Sequence, residues 1–238
     1  EAHDDTAAVM LEPTGASFGQ VPVTREFVAE LRKIATEHGV ILIFDEVVTG
    51  FRFAYGGAQE RYGVTPDICT LGKIIGGGFP LAAVGANAEI MQHFDKSLVG
   101  GSKWLMQLGT LSGNPIAAAA GLKTMEILRR KGNYKKLRAI GKTLQDMQGN
   151  ALTSAGVPHQ ICGDETLFDI FFTKASCRDY RSAKHDKPAL NTAYNATLRR
   201  HGVFKSPGKL YPSLAITEAD LEQTQDAILE AVRSTFLN

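Results

Sequence analysis

Residues 40–44 read Val-Ile-Leu-Ile-Phe without a polar break and stop at Asp45. An apolar run of this kind suits a strand covered on both faces, as in a parallel sheet. Helical spacing precedes it: Thr24 is placed to cap a helix carrying Phe27, Val28, Leu31, Ile34 and Ala35, with Gly39 as its stop. Residues 7–11, 68–71 and 81–86 read as further strands, and Asn87 caps a short helix ending near Phe94. Strands alternating with helices predict an α/β domain with a mostly parallel sheet. Such sheets bind ligands beyond the carboxyl ends of their strands. Asp45 and Lys73 both fall there.

The second half has a different rhythm. Gly113-Asn114-Pro115 opens an Ala-rich helix over residues 116–128, whose small side chains suggest an interior position. Gly132-Asn133 breaks the pattern, and a second helix is expected over 134–153. A strand at 167–172, a helix at 189–201 stopped by Gly202, and a last helix capped by Thr217 with Asp220 follow. This predicts a first domain at residues 1–130 and a smaller α+β domain at 131–238.

Charge excludes one class of function. Twenty-six basic residues against 25 acidic give a net charge of +1, so no broad attraction to nucleic acid is expected. The basic stretches at 129–131 and 135–136 read as solvated helix ends. Cys69, Cys162 and Cys177 have neither metal spacing nor an even count, which fits a reducing cytosol rather than a disulfide framework. No apolar stretch is long enough to span a bilayer, and the first residues do not form a signal peptide. The six histidines show no metal spacing; His38 and His201 precede helix-stopping glycines and suit helix C-termini.

Asp45 and Lys73 carry the chemical signal. A strand-end carboxylate can cap the next helix or pair with a cation. It can also hold a protonated pyridine nitrogen, and so keep that ring an acceptor of electrons. Lys73 stands among Thr70, Leu71, Gly72, Ile74 and Ile75 with no acid close in sequence. That apolar setting favours an amine that attacks an aldehyde and then moves a proton; the other reading is a surface lysine at a loop start. Together the pair suits pyridoxal phosphate chemistry. Gly76-Gly77-Gly78 lacks the Gly-Lys-Ser/Thr ending of a nucleotide loop and reads as a place of close backbone approach to a ligand or a neighbouring subunit. In residues 109–115, a hydroxyl and free amides before a helix suit a phosphate, or Ser112 or Asn114 is simply the N-cap.

Taken together, several segments resemble the class III aminotransferases of pyridoxal phosphate fold type I, with closest likeness to the glutamate-1-semialdehyde aminomutases and their aminotransferase relatives. They are Glu12-Pro13, Phe44-Asp45-Glu46-Val47-Val48-Thr49-Gly50-Phe51-Arg52, Gly56-Gly57-Ala58-Gln59-Glu60, Gly63-Val64-Thr65-Pro66-Asp67, Leu71-Gly72-Lys73-Ile74-Ile75-Gly76-Gly77-Gly78 and Gly109-Thr110-Leu111-Ser112-Gly113-Asn114-Pro115. The resemblance implies the second half of a pyridoxal phosphate-binding large domain followed by the small domain. It implies Asp45 as partner of the pyridine nitrogen, Val47 as the residue packed on the ring, and Lys73 as the Schiff-base lysine. Thr110 is implied as a phosphate ligand given across a homodimer interface. Ser17 stands where the aminomutases carry an asparagine near the cofactor hydroxyl.

Two departures qualify the expected activity. Family chains carry a longer N-terminal part that helps form the substrate pocket and grips the phosphate, so this chain resembles a C-terminal portion. Near the end, the aminomutase Phe-Glu-Ala-Gly-Phe stretch is replaced by Ser206-Pro207-Gly208-Lys209-Leu210-Tyr211-Pro212-Ser213-Leu214. The expectation is therefore a cytoplasmic, homodimeric transaminase acting on small amines and keto acids or aldehydes, without nucleic acid or membrane partners. The alternatives are an aminomutase, and a catalytically silent fragment or interaction subunit. Arg52 suits either a substrate carboxylate or a structural salt bridge.

Overall fold

The computed structural model describes residues 5–15, 21–184 and 187–237. They form two compact units, one of residues up to Pro13 together with Thr24–Arg130, the other of Lys131 onward with the described residues between Thr14 and Val23.

The first unit is built on a four-stranded sheet of β1 (Ala8–Leu11), β2 (Ile41–Glu46), β3 (Ile68–Leu71) and β4 (Ala83–Ala86), in that spatial order. β1, β2 and β3 are parallel, and β4 returns antiparallel to β3. The mostly parallel α/β sheet is thus the one expected. β4 begins two residues later than expected. Leu81 is drawn instead against the backbone at Gly76, where an added Cβ would sit 3.3 Å from it, and Pro80 has no N–H to offer a ladder. Helix α1 (Arg25–Glu37) starts where Thr24 accepts the Phe27 N–H at 3.2 Å and ends at His38 before Gly39.

One expectation for β2 fails. Leu42, Phe44 and Glu46 are fully buried, but Ile41, Ile43 and Asp45 are only half-buried. The pairing register explains it. Met10, Ile43 and Ile68 share one face, as do Asp45, Thr70 and Val84. On that face Met10 is 58% and Val84 49% exposed, so the chain leaves this side of the sheet open. An apolar run shows that both faces can take cover, but hydrophobicity alone does not say how much of that cover the same chain supplies.

Helix α2 (Gly57–Tyr62) follows β2, and short helices α3 (Ala88–Met91) and α4 (Lys96–Val99) follow β4. Asn87 caps α3 through the Ile90 N–H, as anticipated. Helix α5 (Pro115–Leu128) is where anticipated but is not interior: only Ala117 and Gly121 are buried, while Ile116 and Leu122 are 62% and 73% exposed. Those two small residues, one turn apart, face the tight turn Lys73–Gly76; a Cβ on Gly121 would overlap the Ile75 carbonyl oxygen. Gly77, at φ +58°, lies equally close to α5, with an added Cβ 2.6 Å from the Ala120 oxygen. The glycine run therefore serves the approach of this turn to α5, a neighbour within the same unit.

An ion pair ties the start of β3 to its neighbours. The Asp67 carboxylate accepts from Arg32 of α1 at 2.8 Å and from the Leu42 N–H of β2 at 2.7 Å. Burial raises the Asp67 carboxyl, but the Arg32 hydrogen bond, the Leu42 amide and the Arg32 charge outweigh it and hold the group below its ordinary value. A depressed carboxyl stabilises the fold above its unfolded pKa, and that contribution disappears as pH falls through the folded value. Asp67→Asn is therefore expected to flatten the acid side of a stability-against-pH curve below about pH 5. Thermal midpoints from pH 3 to 7 measure it, and an unchanged acid slope excludes the pair as a contributor.

The second unit packs α6 (Asn133–Ser154), α8 (Pro188–Arg200) and α9 (Glu218–Val232) against the hairpin β5 (Gln160–Asp164) and β6 (Leu167–Phe171), with α7 (Tyr180–Ala183) a single turn. Leu152, Ile170, Phe172, Tyr194, Leu198, Ile228 and Val232 form its core. Thr217 and Asp220 make the capping box in full: the Thr217 N–H donates to the Asp220 carboxylate at 2.8 Å, and the Asp220 N–H donates back to Thr217 Oγ1 at 3.3 Å. Strand β5 was not anticipated. Its Gln-Ile-Cys-Gly-Asp text has no alternation, and only pairing with the fully buried β6 makes it a strand.

Candidate functional site

Asp45 and Lys73 end adjacent parallel strands. Asp45 lies in the last turn of the β2 ladder opposite Thr70, and Lys73 follows Thr70 by three residues, just past β3. Strand spacing and residue rise put their α-carbons on the order of 10 Å apart. A long lysine side chain reaching back from one position and a short carboxylate at the other can flank one six-membered ring.

The Asp45 carboxylate is held by one oxygen. Oδ1 accepts the Val47 N–H at 3.0 Å and the Thr70 hydroxyl at 3.2 Å. Among the described residues no donor meets Oδ2. A half-buried carboxylate clamped through one oxygen presents the other to an incoming N–H.

Val47 is set by the next strand's end. Gly72 is buried, and a Cβ there would come within 3.3 Å of Val47 Cγ1, so Val47 rests on the backbone leading into Lys73. Lys73 is exposed in this chain, unlike the enclosed amine its apolar neighbours suggested. Ile75 and Gly76 take the buried positions of that turn instead. Lys73 also has φ +48°, in the left-handed region that a non-glycine residue occupies at a cost of roughly 1–2 kcal/mol. Strain of this kind concentrates at functional positions, where the surroundings impose it.

Val47 and Thr70 line a cavity of about 980 Å³, together with Leu81, Val84 and, from the segment before α5, Thr110. Thr110 is exposed, and the cap of α5 is Asn114, whose side chain accepts from the Ile116 and Ala117 amides. Ser112 accepts instead from Gln107. The structure thus brings Val47 and Thr110 to one cavity, while Asp45, on the same open face of the sheet, and Lys73, just past β3, both lie outside its lining. Ser17 lies outside the described residues.

Two contributors went unread in the sequence. Thr70 is the first. Only the register of β2 against β3 places it beside Asp45. Glu46 is the second, and strand alternation did hold its signal: a residue next to Asp45 must face the other side. It is 1% exposed. Its Oε2 accepts from the Ala58 N–H at 2.6 Å and Thr49 Oγ1 at 3.1 Å, and its Oε1 from Gln59 Nε2 at 2.9 Å. The carboxylate so ties the end of β2 to the start of α2. Gly57, at φ +67°, is the residue this approach demands, since a Cβ there would overlap the carboxylate. Close by, burial and then the Glu46 charge push the Cys69 thiol up, leaving it a protonated packing group.

A strand-end acid, a lysine past the next parallel strand and a hydroxyl-bearing loop before a helix are consistent with the aminotransferase type. The aminotransferase class-III family matches residues 1–232, and the chain belongs to it. A curated relative, glutamate-1-semialdehyde 2,1-aminomutase 2 of Brevibacillus brevis, is 41% identical over 236 residues, covering 98% of this chain and 54% of its own length. Among solved structures, an omega-transaminase from Sphaerobacter thermophilus superposes with a TM-score of 0.88 at 35% identity, over 96% of this chain and 52% of that one. A transaminase with PLP bound gives 0.86 at 25% identity, over 98% and 53%. The chain spans about half the length of the relatives it matches. Among the described residues no helix is long and apolar enough to cross a membrane.

Proposed function

We propose that this chain supplies the lysine and the ring-nitrogen acid of a pyridoxal 5′-phosphate-dependent aminotransferase, which moves an amino group between an amine donor and a keto acid or aldehyde. The carrying observation is the Asp45 carboxylate, fixed through Oδ1 on the open face of the sheet beside the strand that ends at Lys73. The residues fit the cofactor. Asp45 Oδ2 is available to a protonated pyridine nitrogen, Val47 offers an apolar surface to the ring, and Thr110 would offer its hydroxyl to the phosphate of the partner subunit's cofactor across the proposed homodimer interface. Bound there, pyridoxal phosphate supplies an electron sink and an aldehyde. With the cofactor bound, Lys73 would hold that aldehyde, and its amine, once displaced, would carry the proton taken from the substrate Cα.

Residues 1–130 act as the second half of the cofactor-binding domain and 131–238 as the small domain. We place the protein in the cytoplasm and as a homodimer. The exposed Leu108, Leu111, Ile116 and Leu122 support a covered face there, since a monomer rarely shows so much apolar surface in one segment.

Borohydride reduction of the chain with pyridoxal phosphate, followed by peptide mass mapping, tests the assignment. The cofactor mass is expected on the peptide containing Lys73, and Lys73→Ala is expected to abolish both the label and the near-visible absorbance band. Labelling spread over other lysines rejects the reading in favour of a silent fragment. The relative named an aminomutase favours a second reading, transfer within one molecule. Sustained turnover of an amino aldehyde with no keto acceptor selects it, and a single turnover selects the transaminase.

A further inference from the structure

We propose that Thr70 is a positioning residue that fixes the Asp45 carboxylate toward the cofactor's ring nitrogen; this rests on the reading of Asp45 given above. Asp45 and Thr70 are opposed across the parallel β2–β3 pair, so their side chains leave the sheet on the same face. The Thr70 hydroxyl donates to Oδ1 at 3.2 Å, and the Val47 amide donates to the same oxygen at 3.0 Å. Two donors on one oxygen stop the carboxylate from rotating about its Cβ–Cγ bond. They leave Oδ2 without a donor among the described residues, on a side chain that leaves the sheet on its open face. Thr70 and Val47, the two residues that hold Asp45, line the 980 Å³ cavity, and Asp45 itself lies outside its lining.

A hydroxyl is needed for this and a β-branched shape is not. Valine keeps the volume and strand preference of Thr70 but cannot donate. Serine donates but loses the methyl. With Thr70→Val, Oδ1 retains only the Val47 amide, and the carboxylate swings between orientations that do not meet the ring nitrogen. The consequence is confined to a ligand carrying that nitrogen.

Equilibrium dialysis of the full chain against pyridoxal phosphate, and against its carbocyclic analogue with carbon in place of the ring nitrogen, tests the proposal. Thr70→Val is expected to weaken pyridoxal phosphate binding about tenfold, as for loss of one hydrogen bond to a charged group. Thr70→Ser is expected to restore it to within about twofold, and the carbocyclic analogue is expected to bind wild type and both variants alike. Equal weakening of both ligands makes Thr70 a structural residue and overturns the proposal, as does unchanged binding of both. Asp45→Asn is the separate control. If it leaves the preference for pyridoxal phosphate over the analogue intact, the Asp45 reading itself fails, and Thr70's role falls with it.

Discussion

Glu46→Ala is expected to destabilise the first unit by about 3–5 kcal/mol, the combined scale of several buried donors losing a charged acceptor. The side chain is 1% exposed and satisfies the Ala58 amide, the Thr49 hydroxyl and the Gln59 side-chain amide. Alanine strands those donors away from water, at about 1–3 kcal/mol each before relaxation. It also leaves a cavity where the carboxylate sat. Glu46→Gln keeps the volume but sets its own NH2 against one of the donors, so a smaller loss of about 1–2 kcal/mol is expected. Trp104, the single tryptophan, lies in this unit and reports its urea unfolding separately from the second unit. A midpoint for Glu46→Ala within error of wild type means that water replaces the carboxylate, and the proposed tie between β2 and α2 carries no weight.

The second large effect is expected at the buried ion pair of the second unit. Lys205 Nζ donates to both Asp169 oxygens at 2.9 Å, and the two side chains are 5% and 4% exposed. Lys205→Met removes the cation from a buried carboxylate that still accepts the Ile170 N–H at 2.9 Å, at about 3–5 kcal/mol. The loss has a sign in pH. Burial without the Lys205 charge is expected to favour the protonated form of Asp169 in the variant, and a carboxyl so favoured in the folded state stabilises below its unfolded pKa and less as pH rises. The gap between Lys205→Met and wild type is therefore expected to narrow from pH 7 toward pH 4. Replacing both residues together, Asp169→Leu with Lys205→Met, is expected to recover most of the stability, because an apolar pair carries no desolvation cost. Hydrogen exchange at the β6 amides measures all three. A double variant as unstable as the single one means the pair is needed for more than charge balance. Burial, then the Asp169 charge, also raises the Tyr194 hydroxyl beyond its usual range, so this phenol stays neutral throughout.

The elements that were legible share a local cause. Thr24, Asn87 and Thr217 cap the helices that their positions indicated, because an N-cap bond closes within three residues. Strands β1, β2, β3 and β6 were legible for the same reason, as short apolar runs bounded by turn residues. What escaped was cover and pairing. Helix α5 carries small residues on nearly every face, yet one stripe, Ala117 and Gly121, is buried. Strand β5 has no pattern of its own and exists through β6.

The same division runs through the candidate site. By itself the sequence determined the strands, the acid at the end of one and the lysine past the next, because apolar runs and punctuating residues act over a few positions. Only the tertiary structure decided that Thr70 stands beside Asp45, that Glu46 anchors α2 from the opposite face, and that Lys73 is exposed in a left-handed conformation. Those facts depend on strand register and on close packing between segments far apart in the chain, and neither leaves a mark on any short stretch of residues.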